Sequence, residues 1–522
     1  MTTKQPNILL ILTDEERAQP SYEVDALADF RRTRLPARSR LEAEGRRLSR
    51  HYTGATACVP SRATLFTGQY PSLHGVRNTD GLGKSADGPM MKWLDIGGLP
   101  TMGHWFRAAG YRTFYRGKWH VSHADLTNVD GTTLMTNDRD GNPIEDAIAA
   151  YRQADHLEPY GFSGWIGPEP HGADPANAAV VRDSLFAEQI VDVFDQLGLE
   201  GGSGQPWLGV ASFLNPHDIV FSGEPWKFFG FPPIPDWVPA VPEAPSQHDS
   251  LEDRPACQRG FRDVWPKMLF PQPTDSEYRR LYHFLQALVD ESIARILESL
   301  ERNGLADDTI VVFTSDHGDQ LGAHGGLVEK WHVAYEESIR VPFVVRGPGI
   351  EPVDGDTPTS HVDLLPTLLG LAGTSVDRLV NELPGHFSEV RPFPGRDLSG
   401  ALRGIEPIEQ HAAPVYFMTE DEISRGDIDR GALSNEPFEA VAPPGCVESV
   451  IAEFDGRLWK LNRYYDADER TDEEDWELHD LTSDPFEREN KYTVAIDART
   501  ALESIMADER AAKRLTPTIA YE

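Results

Sequence analysis

The chain has 522 residues, 39% of them hydrophobic and 25% charged, and a formal net charge of -35. That length exceeds what one hydrophobic core usually serves, so two domains are expected. The acidity excludes a nucleic-acid partner, which needs clustered Lys and Arg, and requires that any anionic substrate be drawn in by a local positive pocket.

In chain order, the apolar run from Asn7 to Asp14 reads as a buried parallel strand, Ile8–Thr13, ending in a carboxylate. It is too short for a membrane span and no small-residue cleavage site follows it. No other stretch approaches membrane length, so no membrane partner and a cytoplasmic location are expected. Gly83-Lys84-Ser85 looks like the end of a phosphate-binding loop, but position 78 is Asn78 and no strand leads in, so that reading fails. An amphipathic stretch at Met102–Ala109 precedes a strand at Arg112–Tyr115. A helical pattern at Ser184–Leu197 precedes a strand at Leu208–Phe213. The segment Phe221–Pro273 is rich in Pro and Trp without a clear period and reads as a long irregular excursion. A helix at Tyr278–Asn303 leads to strands at Ile310–Thr314 and Phe343–Val345.

This alternation predicts an α/β fold, a large mostly parallel sheet flanked by helices, over residues 1–390. The pattern changes near Pro384–Arg396. Strands at Val415–Met418, Ser449–Phe454 and Leu458–Tyr465 follow, the last two joined by the hairpin signal Asp455-Gly456, and a helix at Arg499–Arg514 closes the chain. Residues 391–522 are therefore expected to form a smaller C-terminal antiparallel sheet plus helix.

Four polar clusters stand directly after predicted strands: Asp14-Glu15, Lys118-Trp119-His120, Asn215-Pro216-His217-Asp218 and Asp316-His317-Gly318-Asp319. Ligand sites in open α/β sheets lie at the carboxyl ends of strands, so these clusters can converge. Asp14, Glu15, Asp316 and His317 offer three carboxylates and an imidazole, a donor set suited to one hard or borderline divalent cation. The three cysteines, Cys58, Cys257 and Cys446, are widely spaced, which excludes a disulfide framework and a Cys-rich zinc site. Arg62, Lys118 and Lys330 supply fixed positive charge for a tetrahedral oxyanion. His120 and His217 can move protons near neutral pH. Together these groups describe hydrolysis of a sulfate or phosphate ester.

His51, His74, His104 and His171 read as structural or surface residues, and His324 and His332, flanking Lys330, as candidates for the pocket lining. Trp226, Trp237 and Trp265 read as core or lid packing. The run Glu420-Asp421-Glu422 reads as a solvated face, with selection of a cationic substrate group as the alternative.

Cys58-x-Pro60-x-Arg62, followed by Ala63-Thr64-Leu65-Phe66-Thr67-Gly68, is similar to the signature of type I (formylglycine-dependent) sulfatases in the alkaline phosphatase superfamily. The likeness extends through Gly117-Lys118-Trp119-His120, Ser315-Asp316-His317-Gly318-Asp319 and Gly322-Ala323-His324-Gly325. It continues through Tyr335–Pro342 and His361–Thr367 to Glu477-Leu478-His479-Asp480-Leu481 with Asp484-Pro485.

The resemblance implies hydrolysis of aryl or alkyl sulfate monoesters, with Cys58 oxidised to Cα-formylglycine by a formylglycine-generating enzyme. It implies that Asp14, Glu15, Asp316 and His317 hold the metal together with the modified Cys58. Arg62 would hold the formylglycine oxygens, and Lys118 would bridge them to the sulfate. His120 would accept the proton that releases sulfate. His217 and Lys330 would bind the sulfate, with His217 as general acid to the leaving oxygen. Calcium is the family default, and the imidazole of His317 moves the preference towards manganese. The family's usual first pair is Asp-Asp or Asp-Gln, and here it is Asp14-Glu15.

Hydrolysis of phosphonate monoesters or phosphodiesters by the same site is the alternative activity. A binding protein without catalysis is disfavoured by intact Cys58, Arg62, Lys118, His120 and Lys330. The sequence leaves the oligomeric state open.

Overall fold

The computed structural model describes residues 5–170, 174–201, 204–383, 385 and 387–513. His171, Pro384 and Arg514, each part of an expectation above, lie outside the described residues. In chain order the elements that position the site are β1 (Asn7–Asp14), α1 (Cys58–Thr67), α2 (Met102–Ala108), β2 (Arg112–Gly117), α3 (Ala179–Leu199) and β3 (Trp207–Pro216). They continue as α4 (Ala256–Met268), α5 (Ser276–Arg302), β4 (Thr309–Ser315), β5 (Phe343–Arg346) and α6 (His361–Leu371). The remainder are β6 (Val415–Thr419), β7 (Cys446–Phe454), β8 (Arg457–Tyr465), β9 (Asp475–Asp480) and α7 (Ile496–Lys513).

The large sheet has six strands in the order Arg46–Arg47, β5, β4, β1, β3, β2. β1 is central and runs parallel to both β3 and β4, with Ile8 opposite Leu208 on one side and Ile310 on the other. Only the β5 edge is antiparallel, pairing with β4 and with Arg46–Arg47. Every residue of β1 is buried, as expected of a strand covered on both faces. Leu9 and Ile11 pack with Phe186 and Ile190 of α3 and Ile293 of α5, whereas Ile8, Leu10 and Leu12 pack with Phe66 of α1 and Leu365 of α6. The two-residue period thus splits β1 between two helical layers.

The excursion Phe221–Pro273 is less irregular than its sequence suggests, because it contains the 13-residue helix α4. Its buried residues, Cys257, Phe261, Val264, Trp265 and Met268, recur at helical spacing, and Pro266 within the last turn obscures that period.

The second sheet runs β6-β7-β8-β9, all antiparallel. Asp455 and Gly456 both have positive φ (50° and 70°), the conformation that a two-residue primed turn demands. β9 escaped the sequence reading because its inward positions include Glu477 and His479, so no apolar alternation marks it. α7 covers one face of this sheet through Leu502 and Met506, which pack with Val450 and Leu461. The other face (Phe417, Val447, Ile451) shares a core with Tyr52, Phe261 and Trp331 from earlier in the chain. Among the described residues no helix is long and apolar enough to cross a membrane.

Candidate active site

Neighbouring strands deliver the expected clusters to one end of the large sheet. Asp14 ends β1, His217 directly follows β3, Asp316 and His317 follow β4, and Lys118 to His120 follow β2. Because β1 lies between β3 and β4, residues some 200 and 300 positions downstream arrive beside Asp14, with Pro216 in register opposite it. α1 enters from the covering layer with Cys58 as its first residue. Ser61 ties the helix to the site by donating to the Asp316 carbonyl at 2.6 Å.

The Cys58 Sγ lies 3.1 Å from His317 Nε2 and 3.7 Å from Asp14 Oδ1. Arg62, one helical turn on, is fully buried. Its Nη2 and Nε reach Asp14 Oδ2 and Asp316 Oδ2, each at 2.8 Å, and its Nη1 donates to the Lys118 carbonyl at 2.7 Å and Ser212 Oγ at 2.9 Å. Lys118 Nζ lies 2.7 Å from Asp14 Oδ2. Burial alone would raise the Asp14 carboxyl, but Lys118 and Arg62 outweigh it and hold the group well below its ordinary range. Burial, reinforced by Asp14, pushes the Cys58 thiol up to about 12, so the unmodified side chain is a protonated thiol at neutral pH.

Ligand atoms on Asp14, Cys58, Asp316 and His317 all lie within 4.8 Å of one another, and all four residues are buried. The His317 Nδ1–H donates to the Gly318 carbonyl at 3.0 Å, which leaves the Nε2 lone pair facing Cys58 and the carboxylates. Two anionic carboxylates and an oriented imidazole therefore suit a divalent cation.

Glu15 is not part of that group. Its backbone N–H donates to Asp316 Oδ1 at 3.1 Å, and its Oε1 lies 2.9 Å from Lys330 Nζ. Its carboxylate reaches within 4.8 Å of ligand atoms on Asp14 and His217, and also of Asp319 and Glu329. Burial, then the Glu329 charge, raises the Glu15 carboxyl well above its ordinary value. Lys330, shared between Glu15 and Glu329 at 2.9 Å each, offsets that crowding.

His120 Nε2 meets Asp80 Oδ1 at 2.8 Å, and its backbone N–H donates to Glu169 Oε1 at 2.7 Å. His120, whose φ is positive (52°), lines the same cavity as Cys58. Burial and the Lys118 charge push His217 well below its ordinary value, so its ring is neutral in the ligand-free site. Cys58, Lys118, His120, His217 and Lys330 line one cavity of about 190 Å³ together with Asp80, Phe221, Trp265 and Trp331.

His324 and His332 are not on that wall. His324 lies 3.2 Å from Glu337 and stacks on Tyr335 at 3.7 Å, and His332 meets the Gly445 carbonyl at 2.8 Å. The run Glu420-Asp421-Glu422 is not a solvated face either. Asp421 and Glu422 are buried, and Asp421 takes Lys84 Nζ at 2.9 Å, the Thr79 N–H at 3.1 Å and Trp331 Nε1 at 3.1 Å. Lys84, set aside as a phosphate-loop decoy, is the buried partner that makes this possible. Asp80 and Glu169 carried no sequence signal, because each acts through a partner 40 or 49 residues away, and Asp421 was misread because its partner Thr79 lies 342 residues away.

Residues 6–374 match the family model described as Sulfatase. The choline-sulfatase of Rhizobium meliloti is 29% identical over 419 residues, covering 78% of this chain and 74% of its own. The arylsulfatase of Volvox carteri is 27% identical over 548 residues, covering 97% and 74%. Among solved structures, a 2-O GAG sulfatase superposes with a TM-score of 0.65 at 21% identity, covering 98% of this chain and 93% of that one. The phosphonate monoester hydrolase of Agrobacterium radiobacter superposes with a TM-score of 0.63 at 22% identity, covering 97% and 96%. At such identities the structural likeness shows the fold, and the family rests on the match across most of the chain: the chain belongs to the sulfatase family, and the protein is a sulfatase enzyme.

Proposed function

We propose that the protein hydrolyses aryl or alkyl sulfate monoesters with a nucleophile made from Cys58 by oxidation to Cα-formylglycine. One divalent cation is held by Asp14, Asp316 and His317, with Glu15 at the edge of the set towards Lys330. The observation that carries this reading is the position of Cys58, at the head of α1, 3.1 Å from His317 Nε2 and facing the cavity. Oxidation of Cys58 supplies an aldehyde whose hydrate offers the hydroxyl nucleophile that a buried thiol does not. When bound, the cation supplies Lewis-acid polarisation and balances the two carboxylates; calcium suits the oxygen donors, and the His317 imidazole also admits manganese.

The chain's own groups divide the remaining work. Arg62 fixes both carboxylates and is itself fully buried, so the charges at the base of the site cost little reorganisation during reaction. Lys118 and Lys330 face the cavity and hold the sulfate oxygens by charge-assisted hydrogen bonds. His120, oriented by Asp80, accepts the proton from the residue at position 58 that accompanies sulfate release. His217 is neutral before substrate binds, and an anionic sulfate beside it favours the protonated ring that donates to the leaving oxygen.

Steady-state rates on an aryl sulfate, a phosphonate monoester and a phosphodiester, with one calcium-loaded preparation, test the reading. The sulfate ester is expected to give the highest kcat/KM. A higher value for the phosphonate or the diester overturns it in favour of the alternative named from the sequence.

A further inference from the structure

Building on the sulfatase reading, we propose that the alcohol side of the substrate is an uncharged, apolar group seated against Phe221, Trp265, Leu269, Trp331, Ile423 and Leu433. These residues line the same cavity as Cys58, Lys118 and Lys330. The volume, about 190 Å³, accommodates a single ring or a short chain; a cavity of about 150 Å³ suffices for benzene.

Phe221 belongs to a larger aromatic cluster. The Phe221 ring packs on Phe229 at 5.6 Å, and Phe229 packs on Phe228 at 5.5 Å, which is 83% exposed.

Other alcohol classes meet less. Among the described residues no arginine lines the cavity, and both lysines already face carboxylates on Asp14, Glu15 and Glu329. Among the described residues, a saccharide carrying further anionic groups meets no lysine or arginine on the lining beyond these two. A neutral hexose would set its hydroxyls against the side chains of Phe221, Leu269, Ile423 and Leu433, which offer no hydrogen-bond partner. Asp218 is engaged by the backbone N–H groups of Ala179 at 3.0 Å and Val180 at 2.9 Å. A quaternary ammonium would need the Trp331 face, which Lys330 Nζ already occupies at 4.6 Å from the ring's centroid. The wall is also preformed, since Asp421 pins the Thr79 backbone and the Trp331 indole at once.

Hexyl sulfate, glucose 6-sulfate and choline sulfate are all primary-alcohol esters, so the reacting bonds are matched and the alcohol alone differs. The expected result is a kcat/KM for hexyl sulfate at least about tenfold above the other two, the scale of one or two methylenes in a fitted pocket. Leu433, at 36% exposure, can be changed without disturbing the core. Leu433→Asn and Trp265→Ala should each lower kcat/KM for hexyl sulfate several-fold more than for glucose 6-sulfate. Equal or faster turnover of glucose 6-sulfate or choline sulfate overturns the inference, as does an equal loss on all three esters in both variants. No turnover of any of the three, with rapid turnover of a phosphonate monoester, overturns the sulfatase reading itself.

Discussion

His120 Nε2 lies 2.8 Å from Asp80 Oδ1, although 40 residues separate them and Asp80 stands on a loop without regular structure. A carboxylate in this position fixes the orientation of the imidazole, as a base that accepts a proton late in the cycle requires. His120→Ala should lower turnover about a hundred- to ten-thousand-fold, the usual range for a general base. In rapid-quench measurements the first release of alcohol should fall much less. His217→Ala should instead slow that first release, because its partner is the leaving oxygen. Asp80→Asn should lower turnover by less than His120→Ala and leave the first release of alcohol nearly unchanged. Unchanged turnover in Asp80→Asn would show that Asp80 does not act on His120.

Position 58 can be read directly. Mass spectrometry of the peptide spanning Cys58 should show the aldehyde or its hydrate in active enzyme. Fully active protein carrying the thiol would remove the proposed nucleophile.

Asp316→Ala removes one carboxylate from the four-residue group and one of the two anionic partners of Arg62. Elemental analysis of the purified variant should show loss of bound divalent metal, with activity at background. Full metal content and full activity would place Asp316 outside the site.

The pair Lys84–Asp421 is fully buried, with Nζ 2.9 Å from Oδ1. Removing one member strands the other, so Lys84→Met should destabilise the protein by about 3–5 kcal/mol. Urea unfolding monitored by circular dichroism measures this. A change under about 1 kcal/mol would show that the site relaxes or admits water.

Glu337 gives a prediction for acid stability. Burial would raise its carboxyl, but His324 outweighs that effect and holds it at about 2, below the ordinary 4.5. A depressed carboxyl contributes stability that is fully present above about 4.5 and is lost as pH falls towards 2, by up to about 3 kcal/mol. Glu337→Gln should therefore flatten the dependence of the urea midpoint on pH between 6 and 3. An unchanged slope would assign acid sensitivity to other carboxylates.

The sequence by itself determined the layer architecture, because strands buried on both faces must be nearly all apolar and the helices between them periodic. Ile8–Leu12 and the α5 pattern are legible for that reason. It also determined which residue types form the base of the site. Cys58, Arg62, Lys118, Asp316 and His317 stand in short motifs, and a strand end places its own next residues by local geometry alone. Where polar groups are buried, local patterning fails, and so β9 and the acidic run at Asp421 escaped or misled the reading. Only the tertiary structure decided that Asp421 and Lys84 neutralise each other inside the protein, and that Asp80 steers His120. Only it decided that Glu15 leans on Lys330 and that Phe221, Trp265 and Trp331 share one wall. The physical reason is the same in each case. The energy of a buried charge, or of an aromatic wall, depends on its partner, and a partner tens to hundreds of residues away leaves no mark on the sequence nearby.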